Sequence, residues 1–239
     1  MRARPLAALS AVMYFVSVTS FCCLVGIDIL PDGRFSHFAK FITAFLVFIC
    51  GYAATAIRCV QTESPETAHR IMRRTLIFLF AAYLLVVADF TLIDNSFGRK
   101  ISNIFTRSPE QISEYLKNNT NLIPFATVRL FIRGWRRGAL SFSALAENLM
   151  GNLAVFMPFA FFIPLLFGKF RKAGRFFALI SAVVVAVEIL QAVLLTGSSD
   201  IDDYILNVLG AMAAFFLFRS KPAGGLLSRL TFGVWEGTE

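Results

Sequence analysis

Three pairs of carboxylate and amide side chains stand at helical spacing in the apolar second half of the chain. Each pair is separated by three or four residues and therefore shares one face of a helix. The pairs are Asn148 with Asn152, Glu188 with Gln191, and Asp203 with Asn207. Such side chains are costly inside a bilayer, so they normally face a partner or a cavity. The spacing therefore predicts one polar pocket to which three successive helices contribute.

Glu188 is the side chain of this set that is best suited to chemistry. At about 1.5 Å per residue, it lies roughly 12 Å along a helix from Thr196, near the end of the same apolar run. A carboxyl at that depth can be a hydrogen-bond anchor, a proton carrier or, in an enzyme, the general acid or base. The structural alternative is that Glu188 and the amides only hydrogen-bond across helices and fix their packing. The sequence has no P-loop, nucleophile elbow or HExxH motif. The sequence therefore does not decide whether the protein is an enzyme.

Three aspartates, Asp200, Asp202 and Asp203, precede the last long apolar run. One aspartate is enough to cap a helix and to favour the positive end of its dipole. The other two suggest a further role, either as ligands of a hard cation or as partners of a basic side chain such as Arg129 or Arg133. The three aspartates are thus candidate metal ligands. The sequence does not indicate which metal would bind, nor any other cofactor.

Long apolar runs carry these residues. Of the 239 residues 57% are hydrophobic, and the formal net charge is +8. Six runs approach the length of about 20 residues that crosses a hydrocarbon core. They cover residues 5–27, 38–60, 75–93, 148–168, 176–196 and 203–219. We therefore predict an all-α fold, a polytopic transmembrane helical bundle of about six spans. Its basic residues lie in short loops, which favours contact with membrane lipids over nucleic acid.

The longest connection between apolar runs covers residues 96–147. It contains a predicted short helix with Ser108 as its cap and Pro109 at its first position. It continues with "NLIPFATVRLFIRGWRRG", which interleaves apolar and aromatic residues with arginines that include Arg129 and Arg133. That segment fits a membrane interface, or else a loop packed on the mouth of the bundle. The predicted division of the chain is 1–95, 96–147, 148–219 and a tail over 220–239.

The distribution of lysine and arginine predicts an orientation. Among the short segments, those on the side of the two termini hold most of the basic residues, whereas the aspartate loop holds none. The long connection counts for little, since long loops translocate largely regardless of charge. We expect a cytoplasmic membrane protein with both termini in the cytoplasm and the loop from Asp200 to Asp203 outside.

Four segments occur in an order that resembles the VanZ-like family of bacterial membrane proteins. They read "NLIPF", "ENLMGNLAVFMPFAFFIP", "EILQ" and "GSSDIDDYILNVLGA", and the resemblance covers about residues 121–218. Many relatives carry an arginine shortly before the aspartates, whereas this chain reads "TGSSD". The positions that match the family motifs are Asn121, Pro124, Phe125, Asn148, Asn152, Pro158, Glu188, Gln191, Asp200, Asp202, Asp203, Asn207 and Gly210.

The leading hypothesis for the function combines the pocket with this resemblance. The chain would bind or process an envelope lipid or its headgroup, with the polar group in the pocket and the phosphate near the arginine segment. The resemblance also implies a connection to glycopeptide resistance, since the name-giving member is associated with resistance to teicoplanin. The alternatives are a small transporter or flippase, and a structural or regulatory membrane protein without a ligand site. The oligomeric state stays open.

Overall fold

The computed structural model describes residues 3–29, 37–93 and 108–235. It divides into two compact units, one of Met1–Val86 with Lys221–Glu239 and one of Val87–Ser220. Part of the long connection of the chain, residues 94–107, lies outside the described residues. The polar residues singled out above all belong to the second unit.

The described residues are mostly helical, as the apolar runs predict. In chain order the elements are α1 (Ala3–Ile29), α2 (His37–Val60), α3 (Pro65–Ala88), a π-helix (Asp89–Ile93), α4 (Pro109–Asn118), β1 (Thr120–Asn121), α5 (Ala126–Arg136), α6 (Phe142–Val155), α7 (Phe159–Leu166), a 3-10 helix (Gly168–Arg171), α8 (Ala173–Leu194), β2 (Ser199–Asp200), α9 (Ile201–Phe218) and α10 (Lys221–Leu230).

Six helical stretches among the described residues are long and apolar enough to cross a membrane. The all-α, multi-span prediction is therefore confirmed. The fourth stretch runs from Phe142 to Leu166 and begins six residues before the predicted start, because Ser141 caps it by accepting a hydrogen bond from the Ala144 N–H. It is interrupted at Pro158, which lacks the N–H that a continuous helix requires, so that α6 and α7 are separate helices.

In the first unit, α1 packs along α2. The Ser10 and Ser17 hydroxyls donate to the carbonyls of Ala54 and Val47, at 2.9 and 2.8 Å. Small polar side chains that hydrogen-bond across helices are a common device of membrane bundles. The apolar side chains of Phe15 and of other residues on the outer faces of these helices are exposed, as expected for surfaces that meet lipid.

In the second unit, α9 packs against α6, α7 and α8. The two backbones come close together at Gly210, where an added Cβ would overlap the backbone carbonyl oxygen of Leu153 in α6. Near the C-terminal end of α9, the Phe215 ring stacks on Phe176 of α8 with centroids 4.7 Å apart. These two contacts fix the helices that carry the polar residues.

Candidate polar pocket

The chain reverses sharply after α8 and folds back over it. Leu195 takes the left-handed conformation at φ 52° and ends the helix. The Ser199 hydroxyl then donates to the Glu188 carbonyl at 3.4 Å, and the Asp200 N–H donates to the Glu188 carboxylate at 3.3 Å. The loop thus descends to the level of Glu188. The sequence-based expectation of about 12 Å between Glu188 and Thr196 assumed a helix as far as Thr196. The helix ends at Leu194, and the loop returns to Glu188.

A short parallel strand pair anchors this loop to the connection before α5. β1 pairs with β2 in the register Thr120 with Ser199 and Asn121 with Asp200. The Tyr115 hydroxyl of α4 also donates to the Gly197 carbonyl at 2.8 Å. The returning loop is therefore held from two sides, by α8 and by the segment around β1.

α4 confirms the predicted cap. The Ser108 hydroxyl accepts from the Gln111 N–H, and the Gln111 side chain accepts from the Ser108 N–H at 2.9 Å, a capping box. The same hydroxyl donates to the Glu110 carboxylate at 2.7 Å and lowers the pKa of that carboxyl below its ordinary value. This short helix positions Tyr115 against the loop.

Two of the three aspartates hold the segment before α5. Asp200 is the cap of α9, as predicted for one aspartate, and it also accepts hydrogen bonds from the Asn121 amide and the Thr127 hydroxyl. Asp202 accepts from the backbone N–H groups of Phe125 and Val128. Its side chain is only 1% exposed. Both carboxylates therefore act on neighbouring chain segments, and neither lines the pocket.

Asp202 supplies the cap that α5 lacks in its own sequence. Phe125 stands at the N-cap position in the left-handed conformation, at φ 62°, and offers no side-chain acceptor. The free N–H groups of a helix start need acceptors and attract negative charge. The Asp202 carboxylate meets both needs from another helix.

The predicted arginine partners do not meet these two aspartates in the structure. Arg129 donates from its guanidinium to the carbonyls of Phe125 and Pro124. Arg133 is exposed on α5. The aspartates thus bind the arginine segment through its backbone and its Thr127 hydroxyl.

The other polar residues meet in one pocket between α6, α8, α9 and the π-helix. Asn152 donates from its amide to the Asp203 carboxylate. Gln191 donates to the Thr91 carbonyl at 2.8 Å. The polar lining residues are Thr91, Asn152, Glu188, Gln191, Ser198, Asp203 and Asn207. The sequence pattern identified five of them, and it missed Thr91 and Ser198.

The pocket is small. Its volume is about 60 Å³, measured as the space open to the centre of a water molecule. A cavity of this size has room for several waters or for a small polar group. Asn148, which was predicted to share the site, is half-buried one helical turn before Asn152 and is not among the lining residues.

Asn207 is the most informative lining residue. It is 5% exposed, and within the described part of the chain its buried Oδ1 has no hydrogen-bond partner. Buried polar atoms are nearly always hydrogen-bonded, and an unmade bond costs about 1–3 kcal/mol. Asn207 thus lines the pocket with a buried side chain whose oxygen is unbonded within the described chain.

A metal centre has no ready ligand set in the part of the chain that the structure describes. No three His, Cys, Asp or Glu side chains there are grouped to hold an ion. The three aspartates do not form one ligand set because their side chains point in different directions. Asp200 and Asp202 bond to residues of β1 and α5, whereas Asp203 bonds to Asn152.

The six long apolar helical stretches of the described residues define a multi-pass membrane protein, and its second unit contains the polar pocket. A family model described as VanZ/LLP1 matches residues 80–223, so the chain belongs to the VanZ-like family. The match begins well before residue 121 and includes the π-helix with Thr91. Neither a search of curated proteins nor one of solved structures found a match.

Proposed function

We propose that this protein binds the polar headgroup of an envelope lipid in the pocket lined by Glu188, Asp203 and Asn207. The observation that carries the proposal is the cavity of about 60 Å³ within the apolar helices, whose lining combines two carboxylates with the amides of Asn152, Gln191 and Asn207. Polar side chains within apolar helices normally face a partner or a cavity, and these side chains face a cavity.

The position of α5 supports a lipid as the source of the headgroup. Asp202 fixes the start of α5, and the next residue, Asp203, lines the pocket. α5 exposes Arg129 and Arg133 together with the large apolar side chains of Leu130 and Trp135. Arginines beside exposed apolar groups are typical of helices that lie among lipid headgroups. The phosphate would lie against α5 while the tip of the headgroup enters the pocket.

The proposed setting is the cytoplasmic membrane, with both termini in the cytoplasm and the loop from Asp200 to Asp203 outside. The basic residues between α7 and α8 support this orientation, since positive charge favours the cytoplasmic side. They are Lys169, Arg171, Lys172 and Arg175. The pocket would then open to the outer leaflet, where an envelope lipid presents its headgroup.

Lipid capture by the purified protein tests the proposal. The full chain would be extracted in mild detergent, and its bound lipids would be quantified by native mass spectrometry after exposure to total bacterial lipid. We expect Asn207→Leu and the double variant Arg129→Gln, Arg133→Gln to retain less lipid than the unaltered chain. The control is Arg175→Gln, which removes an exposed charge away from the pocket. Equal lipid retention in all four proteins would contradict the proposal.

A cellular readout follows from the family resemblance. If headgroup binding underlies a role in glycopeptide resistance, expression of the chain will raise teicoplanin tolerance and Glu188→Gln or Asn207→Leu will reduce it. Replacement of both Glu188 and Gln191 by leucine is the decisive variant. Full tolerance with that variant at normal expression would favour a structural role of these side chains.

A further inference from the structure

We propose that the exposed arginines of α5 select a lipid whose headgroup carries two linked phosphate groups, as in a lipid diphosphate. The inference rests on the proposed headgroup site and adds the chemistry of the charged part of the ligand. It starts from four exposed side chains that we call the arginine stripe. They are Arg129, Arg133, Arg136 and Arg137.

The arginine stripe lies along one face of α5. With 3.6 residues per turn, Arg129, Arg133 and Arg136 fall within an arc of about 60°, and Arg137 follows as the C-cap residue. At about 1.5 Å per residue, the three helical members extend over about 10 Å of the axis. A guanidinium binds one phosphate through two parallel hydrogen bonds. A single phosphate therefore engages only part of the stripe, whereas two linked phosphates engage more of it.

Carboxylates of the described residues do not neutralise the arginine stripe. The sequence has no Asp or Glu from Tyr115 to Ala146. Arg129 bonds to the carbonyls of Phe125 and Pro124, and no described carboxylate bonds to any of the four arginines. The two aspartates that hold the start of α5 bond to its backbone and to a threonine hydroxyl instead. The stripe therefore presents its positive charge at the surface.

Repulsion within the stripe favours a ligand with more than one negative charge. Arg133 stands in the centre, four residues after Arg129, three before Arg136 and four before Arg137. Like charges at these spacings repel each other and destabilise a helix. A ligand with one negative charge relieves part of this repulsion, and two linked phosphates relieve more of it.

The surroundings of the stripe favour a lipid over a soluble phosphate compound. Large apolar side chains are exposed on α5 and just before it, and such groups beside arginines suit the boundary between headgroups and hydrocarbon. The start of α5 is held by Asp202, and the next residue, Asp203, lines the pocket. One headgroup can therefore reach both the stripe and the pocket. The exposed apolar residues are Leu122, Ile123, Phe125 and Leu130.

Binding of matched lipids to the purified full chain in mild detergent tests the inference. Dodecyl phosphate and dodecyl diphosphate have the same tail and differ by one phosphate. Thermal shifts over a concentration series at constant ionic strength give the affinities. We expect dodecyl diphosphate to bind about tenfold tighter than dodecyl phosphate, the equivalent of one further hydrogen bond to a charged group. Inorganic diphosphate should bind more weakly than dodecyl diphosphate, because it has no tail.

One variant of the stripe and one matched control separate a site from general charge attraction. Arg133→Gln removes the central arginine and should lose most of the preference for the diphosphate. Its ligand-free thermal midpoint should not fall, because the substitution also removes three repulsive pairs. The control is Lys117→Gln, which removes one exposed positive charge on α4, outside the stripe. It should keep the full preference.

The possible failures are distinguishable when short-chain phosphatidylglycerol, which has a small polar tip beyond a single phosphate, is tested with Asn207→Leu. Equal binding of the two dodecyl lipids, with phosphatidylglycerol binding that depends on Asn207, would overturn the diphosphate inference and leave the headgroup site intact. Equal losses in Arg133→Gln and Lys117→Gln would overturn it in favour of diffuse charge attraction. Inorganic diphosphate that binds as tightly as dodecyl diphosphate would overturn the assignment to a lipid. A diphosphate preference that depends on Arg133, with no lipid affected by Asn207→Leu, would support the stripe and contradict the proposed pocket.

Discussion

The carboxylate of Asp202 accepts a hydrogen bond at 3.0 Å from the backbone N–H of Val128, which ties the start of α9 to the start of α5. The adjacent residue, Asp203, lies in the pocket. Consecutive residues at the start of a helix point in different directions, about 100° apart. Asp202 can therefore hold the start of α5 in place while Asp203 faces the proposed ligand.

Asp202→Asn should destabilise the second unit by about 1–3 kcal/mol. The carboxylate offers one oxygen to Phe125 and the other to Val128, and an asparagine has only one oxygen to offer. The expected results are a lower thermal midpoint and faster tryptic cleavage at Arg129 and Arg133. Asp203→Asn is the control and should change both much less. Equal destabilisation by the two variants would show that Asp202 has no special role as a cap.

Asn207→Leu should raise the thermal midpoint of the ligand-free protein. The amide is buried with an unbonded oxygen in the described structure, and an orphan of this kind costs about 1–3 kcal/mol, which a leucine of similar size avoids. The same variant should bind less lipid. A lower midpoint without ligand would indicate that the chain itself satisfies Asn207, and the pocket would lose one of its supports.

Helical periodicity predicts much of this site and fails at identifiable points. The i,i+3 and i,i+4 spacings identify Asn152, Glu188 and Asn207 because a helix fixes which side chains share a face. The spacing also selects Asn148, which lies one turn beyond the pocket. It cannot identify Thr91, since that residue contributes a backbone carbonyl to Gln191, and every residue has one.

The hydrogen-bond partners of Asp200 and Asp202 also could not be predicted from the sequence. Charge complementarity suggested arginine side chains, whereas the structure uses backbone N–H groups and hydroxyls, which leave no signal in the pattern of charges. The sequence also gives no sign of the chain reversal at Leu195, because residues in the left-handed conformation are usually glycine and this one is not. Because the chain reverses at Leu195, the loop from Ser199 to Asp200 lies beside Glu188, which the sequence did not predict.

Gly210→Ala should destabilise the packing of α9 against α6 by about 1–3 kcal/mol, as overpacked sites do. The new methyl group would overlap the Leu153 carbonyl, which is backbone and cannot move without shifting α6. Gly151→Ala is the matched control on α6, because nothing lies within 4 Å of its added Cβ. The control should be neutral or stabilising, by up to about 1 kcal/mol. Similar thermal midpoints for the two variants would contradict the proposed close approach.

Gln191→Leu should loosen the π-helix. The Gln191 amide donates to the Thr91 carbonyl at 2.8 Å, and the side chain is 6% exposed. Loss of one buried hydrogen bond should speed amide exchange over Asp89–Ile93 by about tenfold. Hydrogen–deuterium exchange with mass spectrometry measures this. Val193→Ala, which trims an exposed side chain two residues along α8, should leave exchange in the π-helix unchanged. Unaltered exchange in Gln191→Leu would show that this bond does not hold the segment.

The pocket should be reachable from outside the cell, which single-cysteine labelling can test. In a variant without the four native cysteines, Ser198→Cys places a thiol at the exposed edge of the pocket, and Lys172→Cys places one at the opposite end of α8. The basic residues around Lys172 favour the cytoplasmic side. A membrane-impermeant maleimide should therefore label the first variant in intact cells and the second only after permeabilisation. The reverse pattern would place the pocket on the cytoplasmic side, where a headgroup of the outer leaflet could not reach it. Any bound lipid would then have to come from the inner leaflet.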